Sequence, residues 1–239
     1  MRRLLAGTLL VSALALAGCG SSSSPGGTTH SSGEKGNGEA AKSGQQVFTD
    51  AVQAAKGASS FHMSGQISLN GQPIDVDLSI VKGQGATGWL KLNGQKLDLV
   101  VVGADAYVKA DAAFYSQYGG SVGRALGPSV AGKWLKFPRT NPQFGPITSI
   151  ADANLLFDSL TVNHGALTNE GETTYEHQSV VAIHDSAKGG TLYVAATGTP
   201  YPVALVKSGV GVSTSFDKWG ESVTLTPPSG AIDISQFVH

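Results

Sequence analysis

The chain has 239 residues and a formal net charge of −1, so a large basic surface for nucleic acid is not available. Charged residues make up only 14%, whereas a disordered chain would pair low hydrophobicity with high net charge, so most of the chain is expected to fold. The single cysteine, Cys19, allows no internal disulfide and no thiolate zinc cluster.

In chain order, Arg2 and Arg3 precede an apolar run over residues 4–17, interrupted by Gly7, Thr8 and Ser12. This is the layout of an export signal, a basic segment followed by an apolar one. The run is shorter than the ~18 to 20 apolar residues needed to cross a bilayer core. It ends in Leu16-Ala17-Gly18-Cys19, which resembles the lipobox of bacterial lipoproteins: small residues before a cysteine whose thiol takes a diacylglyceryl group. An ordinary secretory signal cut near Ala15 or Ala17 is the alternative. The sole cysteine and the serine tract behind it favour the lipoprotein. Two acyl chains would then hold the protein on the outer face of the cell membrane without spanning it. Losing Arg2 and Arg3 with the signal leaves acidic side chains in slight excess, so the mature chain has no basic patch for anionic lipid.

The expected organisation is a signal peptide over 1–18, the lipidated cysteine and a tether over 19–42, and a domain over 43–239. The tether consists of Gly, Ser, Thr, Glu, Lys and other small or polar residues with no large apolar side chain, too few to offset its ordering entropy. Ser43 with Gln46 has capping-box spacing, and Val47, Phe48, Ala51, Val52 and Ala55 recur at helical intervals, which predicts a helix over 44–56. The period then changes to two. Ile74, Val76, Leu78 and Ile80 alternate with Asp75, Asp77 and Ser79, the pattern of a half-buried antiparallel strand. Asn70-Gly71 and Asn93-Gly94 fall between such runs and predict type I′ hairpin turns. A meander over 61–110 is followed by short helices over 112–118, 122–131 and 148–160. Further strands are expected near 165–173, 178–184, 190–197, 201–208, 211–217 and 222–226. The fold class is mainly β (α+β): a strongly curved antiparallel sheet, a half-barrel of about 10–11 strands, with helices packed on its concave face.

Two stretches carry a resemblance. The run Gly198-Thr199-Pro200-Tyr201-Pro202-Val203 and the segment Phe216-Asp217-Lys218-Trp219-Gly220, set within the order lipobox, tether, helix, meander, helices, meander, resemble actinobacterial lipoproteins of the LppX/LprG type. These are related in fold to the LolA and LolB lipoprotein carriers. The resemblance implies a cavity between sheet and helices that holds acyl chains or a glycolipid for envelope lipid transport. It implies no enzymatic activity, and no cofactor or metal is expected.

Three motifs point elsewhere. Gly83-Gln84-Gly85-Ala86-Thr87-Gly88 spells the dinucleotide fingerprint, but a strand and a hairpin turn follow it where a helix should hold the pyrophosphate. Gly119-Gly120-Ser121-Val122-Gly123 matches a nucleophile elbow, with Asp152, Asp158, His164, His177 and His184 downstream. That reading needs alternating strands and helices, which the sequence lacks, so Ser121 is expected in a glycine-rich turn and a serine hydrolase is the weakest alternative. The six histidines are scattered without zinc-ligand spacing. The aromatics Trp89, Trp134, Trp219, Phe114, Tyr115 and Tyr118 suit either the core or a cavity mouth.

The expected ligand is therefore a lipid or glycolipid, and the membrane is a partner through the lipid anchor. The expected cavity wall is Val76, Leu78, Ile80, Leu90, Leu92, Leu99 and Val101 on the sheet, facing Leu155, Leu156, Phe157 and Leu160. The other reading is a protein-protein interaction module whose interior is filled.

Overall fold

Ser43 caps the first helix, α1 (Gly44–Gly57), accepting a hydrogen bond from the Gln46 amide at 3.2 Å. The helix buries Val47, Phe48, Ala51, Val52 and Ala55 on one stripe. The computed structural model describes residues 35–69, 71–162, 164–207 and 212–236. The signal segment, Cys19 and Asn70 lie outside the described residues.

After α1 the period-two runs form a meander of β1 (Ser60–Leu69), β2 (Gln72–Val81), β3 (Gly85–Leu92), β4 (Gln95–Val102) and β5 (Asp105–Ala110). The helices α2 (Ala112–Tyr118) and α3 (Gly120–Val130) follow, then β6 (Leu135–Pro138), α4 (Gly145–Ser149) and α5 (Ala153–Val162). A second meander runs through β7 (Leu167–Tyr175), β8 (Gln178–Asp185), β9 (Thr191–Ala195), β10 (Pro202–Lys207) and β11 (Val212–Asp217), and β12 (Ile232–Asp233) ends it. All twelve strands join one sheet in the order β12-β6-β5-β4-β3-β2-β1-β11-β10-β9-β8-β7. The sheet is large, curved and unclosed, antiparallel except where β12 meets β6. The two meanders meet at the pairing of β1 with β11.

Alternation decides which face is buried. Phe61, Met63, Val76, Leu78, Ile80, Leu90, Leu97, Leu99 and Val101 point to the concave side and are all 2% exposed or less. Asp75, Asp77, Trp89, Lys91 and Asp98 alternate to the other side. The glycines of the 83–88 motif serve this packing. Gly88 pairs with Leu78 on one side and Leu99 on the other, at φ 149°, and a Cβ there would lie 2.0 Å from the Asp77 carbonyl oxygen. Gly85 and Gly88 both lie inside β3, so no helix follows to receive a pyrophosphate. Asn93 and Gly94 both have positive φ, 47° and 81°, as a type I′ turn requires.

The structure differs from the sequence expectations in three places. The helix expected over 148–160 is two helices. Thr148 Oγ1 bonds back to the carbonyls of Phe144, Gly145 and Arg139, and Ser149 Oγ to that of Pro146. These bonds compete with the helical ladder and close α4. Asp152 Oδ1 then accepts from the amides of Asn154 and Leu155 and starts α5 afresh. The strand expected near 222–226 does not form: residues 221–228 carry no strand pairing, and Pro227 and Pro228 offer no backbone donors. Two short strands went unexpected, β6 and β12. Four residues and two residues long, they are too brief to show a period.

The register also defines two ends of the sheet. At one end lie the start of β1, the turns β2–β3, β4–β5, β7–β8 and β9–β10, and the ends of β6 and β11. Here the described chain begins: Gly36 bridges to Thr197, and the Asn37 amide donates to the Ala196 carbonyl at 2.8 Å. Asn37 Nδ2 adds bonds to the carbonyls of Ala195 and Gly198. We call this the root end. The turns β1–β2, β3–β4 and β8–β9 define the far end.

Candidate functional site

A cavity of about 250 Å³ opens at the far end, between the β1–β2 and β3–β4 turns and the helical segment. Leu69, Ile74, Leu92, Phe144, Pro146 and Ile147 give it an apolar lining, and Gln72, Asn93, Tyr118 and Gln143 put polar groups at its rim. Tyr118 is fixed from two sides. Its hydroxyl accepts from Asn93 Nδ2 at 2.8 Å, and its ring packs on Phe114 at a centroid distance of 4.9 Å. Phe144 stacks on Phe137 at 4.4 Å.

The helix that delivers Tyr118 is tied to the sheet by Tyr115. The Tyr115 hydroxyl accepts from the Ala110 amide at 3.1 Å and donates to the Val108 carbonyl at 3.4 Å. Burial pushes its pKa up to about 12. The neighbouring glycines explain the Gly-x-Ser-x-Gly sequence. A Cβ on Gly123 would lie 2.1 Å from the Tyr115 carbonyl oxygen, and one on Gly119 would lie 2.6 Å from the same atom. They let α3 approach α2 closely. Ser121 is exposed in the first turn of α3, not in a turn between the helices.

The other residues of the hydrolase reading are engaged elsewhere. Asp152 Oδ2 lies 3.7 Å from Arg139 Nη2, and Asp158 pairs with Lys56. His164 Nδ1 faces the Gly165 carbonyl at 2.9 Å while its ring packs on Phe48, and His184 Nδ1 lies 3.5 Å from Thr191 Oγ1. His177 sits at φ 69° in the turn between β7 and β8. Among the described residues no group of three or more His, Cys, Asp or Glu is placed to hold a metal ion.

Of the expected cavity wall, Leu92 borders the 250 Å³ cavity. Val76, Leu78, Ile80, Leu90, Leu99, Val101 and Phe157 are brought together, but in a packed core behind it, each 1% exposed or less. Leu156 and Leu160 pack partly buried against that core. Leu155 is 56% exposed and does not face the strands. It lines a second depression of about 430 Å³ at the root end, with Arg139, Ser149, Asp152 and Asn154. Leu155 lies off the stripe of Ala153, Phe157, Leu156 and Leu160 that meets the core, and so points outward.

The sequence reading missed Leu69, Ile74, Phe144, Pro146 and Ile147 as lining residues. Leu69, beside a hairpin turn, carried a signal; Phe144 to Ile147 lie in a segment with neither period. The tryptophans divide. Trp219 stacks on Tyr201 at 4.6 Å and on Phe61 at 5.0 Å, inside a cluster with Phe157 and Phe216. Trp89 and Trp134 lie outside the core, beneath Lys96 and Lys109 at 5.1 and 4.9 Å. No helix among the described residues is long and apolar enough to cross a membrane.

No family model matches the chain, and neither does any curated protein. Among solved structures, LprF from Mycobacterium bovis superposes with a TM-score of 0.54 at 16% identity, covering 82% of this chain and 99% of LprF. A conserved protein from Thermus thermophilus aligns over 80% of this chain and 98% of its own at 10% identity, with a TM-score of 0.37. A LolA superfamily protein from Nitrosomonas europaea aligns over 78% and 98% at 8% identity, with a TM-score of 0.29. The fold assignment rests on LprF: the chain has the fold of LprF.

Proposed function

We propose that this chain is a membrane-anchored, non-enzymatic lipoprotein that binds an acyl chain of a lipid or glycolipid and acts in envelope lipid transport. The observation that carries this reading is the apolar cavity at the far end, with a polar rim at its opening. An acyl chain needs that arrangement: methylenes leave water while a headgroup stays at the edge. At about 250 Å³ the cavity is smaller than the roughly 300 to 1,000 Å³ of drug-sized sites, so it suits one chain segment and not several chains at once. The LprF fold and the Leu16-Ala17-Gly18-Cys19 sequence support a lipoprotein on the outer face of the cell membrane.

The interaction-module reading keeps one observation in its favour, the packed core where a larger cavity was expected. Native mass spectrometry of the mature chain separates the two. Co-purifying lipid supports the carrier; a chain that takes up no fatty acid sinks it. Ile147, 6% exposed on the cavity lining, provides the site test. Ile147→Trp is expected to displace about two methylenes of bound chain and weaken fatty-acid affinity roughly tenfold. Unchanged affinity would place the ligand elsewhere.

A further inference from the structure

The polar groups at the mouth of the 250 Å³ cavity are all uncharged. Gln72, Asn93 and Gln143 are exposed there beside Tyr118, and among the described residues none that lines the cavity carries a formal charge. The charges nearest in the chain are turned away. Asp75 and Lys91 pair on the other side of the sheet, where Asp75 accepts from Gln66 Nε2 at 3.2 Å, and Lys96 lies over the Trp89 ring at 5.1 Å. Arg139 and Asp152 face each other at 3.7 Å in the second depression. At the rim itself, Asn93 Nδ2 donates to the Tyr118 hydroxyl at 2.8 Å and Gln143 Nε2 to the Tyr118 carbonyl at 3.4 Å. Among the described residues, Oδ1 of Asn93, Oε1 of Gln143, both side-chain polar atoms of Gln72 and the donor side of the Tyr118 hydroxyl have no partner within the chain. The free groups are thus the amide oxygens of Gln72, Asn93 and Gln143 against the Gln72 amide nitrogen and the Tyr118 hydroxyl.

We infer that this rim admits an uncharged, hydroxyl-bearing headgroup, a glycosyl or glycerol unit, in preference to a phosphate or carboxylate. The inference rests on the acyl-chain reading of the cavity, which by itself leaves the headgroup open. A hydroxyl both donates and accepts, so it can give its proton to an amide oxygen of the rim and take one from Tyr118 or Gln72. An ionised carboxylate or phosphate is chiefly an acceptor. Brought to this mouth it would shed part of its hydration and meet more acceptors than donors, with no cation to offset the loss. Its acyl chain would still enter, so the charge weakens binding without abolishing it.

The test is isothermal titration of the mature chain with amphiphiles that share one dodecyl tail and differ in headgroup: dodecyl glucoside, dodecylglycerol, dodecanoate and dodecyl phosphate, each below its micelle concentration at neutral pH. Dodecyl glucoside or dodecylglycerol is expected to bind about tenfold more tightly than the two anions. The tighter of the neutral pair names the source of the headgroup, glycolipid or acylglycerol. Gln72→Lys, at an exposed rim position, is expected to close most of the gap by raising the affinity for dodecyl phosphate, with the melting temperature unchanged. An anion that binds the parent as tightly as the neutral amphiphiles, or a phosphate affinity that Gln72→Lys does not raise, overturns the inference while the acyl-chain reading stands. If none of these amphiphiles binds, the acyl-chain reading itself falls and the headgroup inference falls with it.

Discussion

Tyr115 shows how one side chain sets the position of a whole helical hairpin. Its hydroxyl satisfies both a donor and an acceptor of β5 and so fixes α2, which in turn carries Tyr118 to the cavity rim. Because burial holds its pKa at about 12 against an ordinary 10.0, the group is neutral in folded and unfolded chains below pH 10. Its contribution is fully present there. As pH rises from 10 towards 12 the unfolded chain releases its proton first, so stability falls through that window. Thermal melts of the mature chain are expected to show this loss, and Tyr115→Phe to flatten it while costing about 1 kcal/mol at neutral pH for the lost hydrogen bonds. An identical alkaline profile in the variant would assign the loss to other groups.

At the scale of elements, the α2–α3 hairpin and the β1–β4 meander respond to substitution in different ways. Gly123→Ala places a methyl group against the Tyr115 carbonyl and is expected to cost about 1 to 3 kcal/mol as the helices separate. Ser121→Ala, two residues away and exposed, is expected to change stability by under about 0.5 kcal/mol and to leave lipid binding intact. Urea titrations of the two variants decide whether the Gly-x-Ser-x-Gly sequence is a packing stripe; esterase turnover lost with Ser121 would revive the hydrolase. The contrast also marks what the sequence made legible. Alternation in Ile74, Val76, Leu78 and Ile80, and the Asn93-Gly94 turn, fixed strand faces and register locally, and the structure follows them. The α4–α5 break was hidden because Thr148, Ser149 and Asp152 act through hydrogen bonds to backbone atoms, which an apolar stripe through Ile150, Ala153, Leu156, Phe157 and Leu160 does not report. The cavity was hidden for a related reason. Its lining joins hairpin tips to Phe144 and Ile147 across long sequence separations, and no period connects them.

At the scale of the whole molecule, the deciding quantity is how much of the concave side a ligand can enter. Leu78 stands fully buried between Met63 and Gly88, behind the cavity. If the core stays closed, affinity for saturated fatty acids rises about fourfold per methylene, at ~0.8 kcal/mol each, and levels off once the 250 Å³ cavity is filled. In that case Leu78→Trp overpacks the core, costs about 1 to 3 kcal/mol of stability and leaves the plateau where it was. If α5 or the α2–α3 hairpin yields to a long chain, affinity continues to rise with chain length, and Leu78→Trp shortens the longest chain accepted. The static packing leads us to expect the first outcome. Isothermal titration with a series of fatty acids, run on the parent and on Leu78→Trp together with their melting temperatures, decides it. A plateau that moves with the substitution would mean that the packed interior is itself the binding site, entered from the far end by displacing the helices that cover it.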